Sequence, residues 1–314
     1  MSEFDLIERY FTRPAPSAAL GVGDDAALVA VGAGKELAVS SDMLVCGTHF
    51  LADADPFLLG HKTLAVNLSD MAAMGAVPRW ATLSLALPQA DGPWLQRFSD
   101  GFFALADAHG VELVGGDTTR GPLNLCVTIM GEVPAGRALR RDGAQPDDDI
   151  WVSGTLGRAA LGLAHLQGRL RLYDQVREDC LQALHQPMPR IALGLALRGI
   201  ARSAIDISDG LYADLGHILQ RSAVGAELEI AALPCVETGV EAERAQQCAL
   251  GGGDDYELCF TAPAAARDTL TALAAQLDLN LTRIGKIRAG RGCVVRDAAG
   301  MEMKIEKAGY DHFA

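Results

Sequence analysis

Six places along the chain set aspartate in turns built from glycine and serine. They are Asp24 and Asp25 in "GVGDD", Asp42 in "SSDM", Asp70 in "NLSDMAAMG", Asp117 in "GGDTT", Asp206 and Asp209 in "DISDGL", and Asp254 and Asp255 in "GGGDDYEL". Any one of them has an ordinary explanation, because aspartate beside glycine or serine is common turn and cap chemistry. Together they point to a stricter requirement. Most follow an apolar run that reads as a strand, and α/β proteins build their sites at strand ends. Carboxylate oxygens on such loops suit Mg²⁺, which takes one or two of them and fills its octahedron with water and substrate phosphates. The glycines let backbone N–H groups approach phosphate oxygens, and Ser40, Ser41, Ser69 and Ser208 add hydroxyls. Phosphoryl transfer is largely charge compensation and alignment, so it is the chemistry these residue types suit.

The charge balance makes cations a requirement of that reading. The 314-residue chain has a formal net charge of −13 and no Lys/Arg-rich run, which argues against nucleic acid as a partner. A phosphorylated ligand among these carboxylates would meet repulsion of roughly 4 kcal/mol per pair of unit charges about 4 Å apart at an effective dielectric of about 20. Several Mg²⁺ ions between protein and nucleotide would offset it. A content of 49% hydrophobic and 21% charged residues describes a globular chain long enough for two domains. No stretch approaches the roughly 18 apolar residues of a membrane span, and "MSEFDLIERYF" lacks the basic start and apolar core of a secretory signal. Seven scattered cysteines without a CxxC pair read as buried, reduced thiols, which predicts a cytoplasmic location.

The elements that must carry these loops alternate. Strands are predicted at 35–43, at 79–88, in "VELVGG" and in "LNLCVTIMGEV", with helices at 56–75, which opens on proline and closes on glycine, and at 93–110. Asn67 and Asp70 then share one otherwise apolar helix face and need a polar partner. The stretch 134–149, rich in proline, glycine and charge, reads as a domain boundary, giving domains of 1–137 and 138–314. Beyond it come strands in "DIWVSG", "AIDISDG", "ELCFTAP", "TRIGKI" and "GCVVRD". Helices are predicted in "LGRAALGLAHLQ", "RIALGLALRGIA" and "LYADLGHILQRS". The fold class is therefore α/β, mixed in the α+β manner, in two domains. Two glycine motifs fail as nucleotide loops. "VGAGKE" lacks the first P-loop glycine, since position 29 is valine, and has Glu36 after its lysine. "GTLGRAALG" lacks dinucleotide spacing and reads as a helix start, for packing or for supporting a phosphate.

Taken in order, "GVGDDAA", "SSDMLVCGTHF", "VNLSDMAAMGAVPRW", "GGDTTRG", "RRDGAQPDD", "WVSGTLGRAALGL", "DISDGLYADL", "GGGDDYELCFT" and "GYDHF" resemble the thiamine-monophosphate kinase family of the aminoimidazole ribonucleotide synthetase-like superfamily. The resemblance runs from about residue 20 to residue 313. It implies the two-domain fold of that superfamily, with N-terminal sheets pairing across a homodimer and a mixed α/β C-terminal domain. It implies ATP-dependent, Mg²⁺-assisted phosphorylation of thiamine monophosphate to thiamine diphosphate. Asp24, Asp42, Asp70, Asp117, Asp206 and Asp209 would then be metal ligands helped by Ser40 and Ser41, with Asp42, Asp117 and Arg141 catalytic. Gly116, Asp117, Arg141 and Ser208 match nucleotide-contacting positions. His49, Tyr310 and an acid of "DDYEL", Glu257 being the choice, match the substrate pocket. The N-terminal domain would hold the acidic loops and dimer surface, and the C-terminal domain would complete both substrate sites. One departure is that Asp254 stands where the family usually has glutamate. The sibling enzymes fit less well: residues 1–34 have neither the cysteine nor the lysine of selenophosphate synthetase, and the last cysteine, Cys293, is far from the C-terminal acceptor of the hydrogenase-maturation enzyme.

Overall fold

The computed structural model describes residues 2–305 and 309–313. It divides the chain into one unit of residues 1–71 and 76–136 and a second of residues 72–75 and 137–314. The first unit opens with helix α1 (Glu3–Tyr10), where Ser2 and Asp5 cap each other's amides. A small antiparallel pair follows, β1 (Ala18–Leu20) with β2 (Leu28–Val29). The main sheet consists of β3 (Lys35–Val45), β4 (Val77–Leu87), β5 (Glu112–Arg120) and β6 (Asn124–Pro134) in the order β3-β6-β4-β5. Only β4 and β5 are parallel.

Two helices, α2 (Pro56–Ala73) and α3 (Gly92–His109), complete the layer. Asp55 and Asp91 accept first-turn amides at their starts. The helices cross in backbone contact, because a Cβ at Gly60 would lie 2.0 Å from the Phe98 carbonyl oxygen and one at Gly101 1.9 Å from that of Phe57. No other residue fits either position.

Period-two alternation decides what β3 presents. Leu44 is buried and Ser40 and Asp42 are half-buried on the face shared with Leu125, Val127 and Ile129, whereas Leu37, Val39 and Met43 on the other face are 40%, 58% and 54% exposed. The sheet is thus covered on one side and open on the other.

The second unit has a six-stranded sheet of β7 (Asp149–Ser153), β8 (Ser203–Asp206), β9 (Gly225–Glu229), β10 (Leu258–Ala262), β11 (Leu281–Arg288) and β12 (Gly292–Arg296), in the order β12-β9-β11-β7-β10-β8. Its helices are α4 (Arg158–Leu166), α5 (Asp174–His185), α6 (Ile191–Leu197), α7 (Leu211–Ser222), α8 (Ala242–Gly251) and α9 (Arg267–Leu277). Every residue of β7 and β10 is buried, as the near-continuous apolar runs require. Ile150, Val152, Ile205, Leu215, Ile218 and Ile284 form its core.

The expected strands and helices are present, and α1, α5, α8, α9, β1, β2 and β9 are additional. The additional helices bury little: α5 sinks only Cys180 and Leu184. The end of the charged stretch 134–149 is not solvated. Asp148 and Asp149 are 1% and 0% exposed, and pair with Arg202 at 2.9 Å and Arg267 at 2.6 Å. All seven cysteines are free thiols, and among the described residues no helix is long and apolar enough to cross a membrane.

Candidate active site

In the first unit β3 and α2 are tied together at Asp42 and Asp70. Ser40 Oγ donates to Asp70 Oδ2 at 2.5 Å, and Asn67 Oδ1 accepts the Asp42 amide at 3.2 Å. Asn67 Nδ2 in turn donates to the Thr63 carbonyl at 3.1 Å. The polar pair on the apolar helix face therefore finds its partner in the strand. Ser41 does not join them. It points to the open face, where its hydroxyl meets Thr128 Oγ1 and the Val127 carbonyl, each at 3.1 Å.

Asp117 also belongs to the open face by register, paired with exposed Ser84, while its neighbour Thr118 is buried beside Leu85. Gly116 is compulsory at its position, since a Cβ there would sit 1.9 Å from the Leu83 carbonyl oxygen. Asp24 and Asp25 are exposed, and Asp24 Oδ1 accepts the Asp25 amide at 2.9 Å. His49 accepts the Val45 amide on Nδ1 at 3.0 Å, so the neutral ring carries its proton on Nε2.

The failed P-loop has a definite occupant. Lys35 Nζ and the Gly32 amide both reach Glu132, at 2.6 and 2.7 Å. Hydrogen bonding from Lys35, then from Gly32, holds this buried carboxyl below its ordinary range.

In the second unit the loop 207–210 after β8 is the centre of the arrangement. Asp206 is 5% exposed at the end of β8. Ser208 O accepts the Asp254 amide at 2.8 Å, and Asp209 O accepts the Tyr310 amide at 3.0 Å. The C-terminal segment is thereby tied to the loop, and the Tyr310 ring packs edge-on to His312 with centroids 4.9 Å apart. Asp214, which the motif reading left without a role, accepts from the Ser208, Asp209 and Gly210 amides. Burial pushes its carboxyl up to about 6, against the lowering effect of those amides. Its signal in the sequence is an acid in the first turn of a helix.

In "GGGDDYEL", Glu257 is held inside the second unit. It is 3% exposed and its carboxylate is taken by Arg190, Nε to Oε2 at 2.6 Å and Nη2 to Oε1 at 2.5 Å, and by Ser153 Oγ at 2.5 Å. Burial works against the charge of Arg190, but the Glu257 pair outweighs it and holds the guanidinium above its ordinary value. The start of α4 has a partner inside the protein too. Asp255 occupies it, accepting the Gly157 amide at 3.0 and 2.8 Å, and burial pushes this carboxyl well above its ordinary range. Asp254 has φ +68°, a left-handed conformation that aspartate adopts more readily than most residues other than glycine. Its Oδ1 accepts from the Tyr256 hydroxyl at 3.0 Å. Arg141 is exposed; its carbonyl accepts from Ser222, while neighbouring Arg140 is spent on Asp142.

Among the described residues no three histidine, cysteine, aspartate or glutamate side chains form a ready-made metal site. The donors are hard oxygens in ones and twos, which fits Mg²⁺ that takes its remaining ligands from water and phosphate.

Two sequence-family models match the chain: the N-terminal domain of the AIR synthase related proteins over residues 23–133 and the C-terminal domain over residues 145–298. The two units thus define the class of scaffold. The thiamine-monophosphate kinase of Escherichia coli (strain K12) is 50% identical over 99% of this chain and 98% of its own length, and that of Bacillus subtilis (strain 168) is 35% identical over 100% of both. The crystal structure of thiamine-monophosphate kinase from Stenotrophomonas maltophilia K279a superposes with a TM-score of 0.84 at 51% identity, covering 93% of this chain and 94% of that one. The structure described as AaThiL complexed with AMPPCP and TMP gives 0.79 at 32% identity over 90% and 89%. The chain belongs to the thiamine-monophosphate kinase family of the AIR synthase related proteins.

Proposed function

We propose that the chain transfers the γ-phosphoryl group of ATP to thiamine monophosphate, releasing ADP and thiamine diphosphate. The observation that carries this reading is 50% identity to a thiamine-monophosphate kinase along 99% of the chain. A relative of known structure that bears an ATP analogue and TMP supports the choice of both substrates. The acceptor is a phosphate oxygen that is already ionised, so transfer needs no strong general base. One P–O bond to ADP breaks as one to the acceptor forms, in line.

Asp24, Ser40, Asp42, Asp70 and Asp117 of the first unit, and Asp206 and Asp209 of the second, are the proposed Mg²⁺ ligands. Ser41 would reach an ion at Asp42 only through its backbone carbonyl, because its hydroxyl faces the other side of β3. When bound, Mg²⁺ would offset the charge of the phosphates and orient them. Gly116, Asp117, Arg141 and Ser208 would contact the nucleotide, with Arg141 adding positive charge. His49 and Tyr310 would contact thiamine, Tyr310 by stacking on its flat rings. With Glu257 committed to Arg190, Asp254 takes the acid's place in that pocket, its backbone tied to Ser208.

The same reading includes a homodimer formed through the open sheet face. Its support is a strand face whose Leu37, Val39 and Met43 stand 40%, 58% and 54% exposed. Asp117 lies on that face. A cytoplasmic location accompanies seven free thiols.

Incubating the purified protein with ATP, Mg²⁺ and thiamine monophosphate and assaying thiamine diphosphate tests the reading. ADP release without that product would point instead to an amide- or formyl-activating enzyme of the purine-pathway type. Tight nucleotide binding without turnover would point to a noncatalytic regulator.

A further inference from the structure

Asp214 lies in the first turn of α7 and is 3% exposed. Its Oδ2 accepts three consecutive amides that precede the helix: Ser208 at 3.1 Å, Asp209 at 3.1 Å and Gly210 at 3.0 Å. This goes beyond a capping box, in which an acid of the first turn takes the single N-cap amide as Asp5 does in α1. In a normal cap the residue before the helix reaches forward to first-turn amides, whereas here Gly210 has no side chain and the helix reaches back to the loop.

With its amides turned toward Asp214, the loop has its carbonyls for other work. Ile207 O takes the Tyr256 amide at 2.8 Å, Ser208 O the Asp254 amide at 2.8 Å, and Asp209 O the Tyr310 amide at 3.0 Å. Gly309 sits close against α7, since a Cβ there would be 2.6 Å from Ala213 Cβ. One buried carboxylate therefore fixes the loop through its donors, and the loop fixes two distant segments through its acceptors. Without that oxygen, three amides at a part-buried position would lose their partner together, which the loop would relieve by changing conformation.

We propose that Asp214 is the positioning residue of the reaction, holding 208–210 in the conformation that presents Ser208 and Asp209 to the phosphates and seats Asp254 and Tyr310 against thiamine. This rests on the proposed function. It assigns to Asp214 an acceptor role that acts through the loop, not a contact with substrate.

The test compares Asp214→Ala with Asp214→Asn, which keeps an acceptor oxygen, by steady-state kinetics and by amide hydrogen exchange over 207–211. Asp214→Ala should raise KM for both thiamine monophosphate and ATP by about tenfold or more, the scale of one lost charge-assisted hydrogen bond, and speed exchange of the three amides. Asp214→Asn should be affected several-fold less in both readouts. A change confined to the active fraction, with both KM values intact, would mean a merely structural role and would overturn the proposal. So would Asp214→Asn as impaired as Asp214→Ala. Should the alanine variant not fold, the wild-type protein still decides: the Ser208, Asp209 and Gly210 amides must exchange slowly although they lie outside regular structure, and fast exchange overturns the proposal. A wild-type protein that makes no thiamine diphosphate sinks the functional reading and the catalytic half of this one, while the exchange data judge the loop by themselves.

Discussion

The carboxylates of the first unit and those of the second are held differently. In the first, Asp24 and Asp117 stand exposed, and Asp70 accepts from the Ser40 hydroxyl. In the second, Glu257 is locked to Arg190 and Ser153, Asp255 caps α4 and Asp214 gathers three loop amides. Acids in glycine-rich turns thus have two fates. Some lie exposed or meet a hydroxyl, and others are taken up by buried donors. A buried carboxylate must be paired or hydrogen-bonded to stay charged, and Asp206, 5% exposed, is a proposed ligand that also lies deep.

The contrast is broken most directly by removing one acid from each side. Asp42→Asn and Asp117→Asn should each lower kcat about a thousandfold or more, the cost of losing a charge-stabilising group, while denaturant midpoints stay near wild type. Thiamine diphosphate formation and urea melts read both, and near-normal turnover from either variant would return that acid to the scaffold. Glu257→Gln should behave in the opposite way. It leaves the half-buried Arg190 beside a neutral partner, so stability should fall by about 3 kcal/mol in urea melts, with KM for thiamine monophosphate unchanged in the folded protein. An unchanged midpoint with a raised KM would restore Glu257 to the substrate pocket.

Tyr310 sharpens the comparison from the other side, because the second unit holds it by its backbone and leaves the ring 44% exposed. Tyr310→Ala should raise KM for thiamine monophosphate about tenfold, the scale of one lost ring–ring contact, and scarcely move stability. The smallest effect concerns Glu132, a scaffold acid in the first unit. Its folded value is lowered from 4.5 by Lys35 first and then by Gly32. Its stabilisation is therefore complete above pH 4.5 and is lost as pH falls through the lowered folded value. Glu132→Gln should cost about 1 kcal/mol at pH 7 and flatten the acid limb of a stability–pH curve; an unchanged limb would remove Glu132 from the scaffold group.

Much of the fold was legible because its long elements announce themselves locally. The helix at 56–73 carries proline at its start, and α7 matches "LYADLGHILQRS" residue for residue. Some elements lack a clear signal because their burial is slight, such as α5 with two buried residues, or their length is, such as β2 with two residues; α8 and β9 bury more and were simply missed. A helix or strand that buries almost nothing has almost no periodicity to read. At the site, Ser40 and Asp42 were legible as a pair by alternation, and the same alternation turns Ser41 away. The pairing of Glu257 was not legible, because Arg190 lies 67 positions earlier with nothing local to link them.

By itself the sequence determined the two-part α/β organisation, the order of acidic loops and the family to which they belong. Those are written in local periodicity, turn residues and motif order. Only the tertiary structure decided which acids are taken up by donors inside the protein. The partners that consume Glu257 and Asp255 are brought in by β7 and α4 across sequence separations of 104 and 98 residues. Burial at such a distance is a property of topology, and it sets whether a carboxylate must find a donor inside the protein or can wait for a cation.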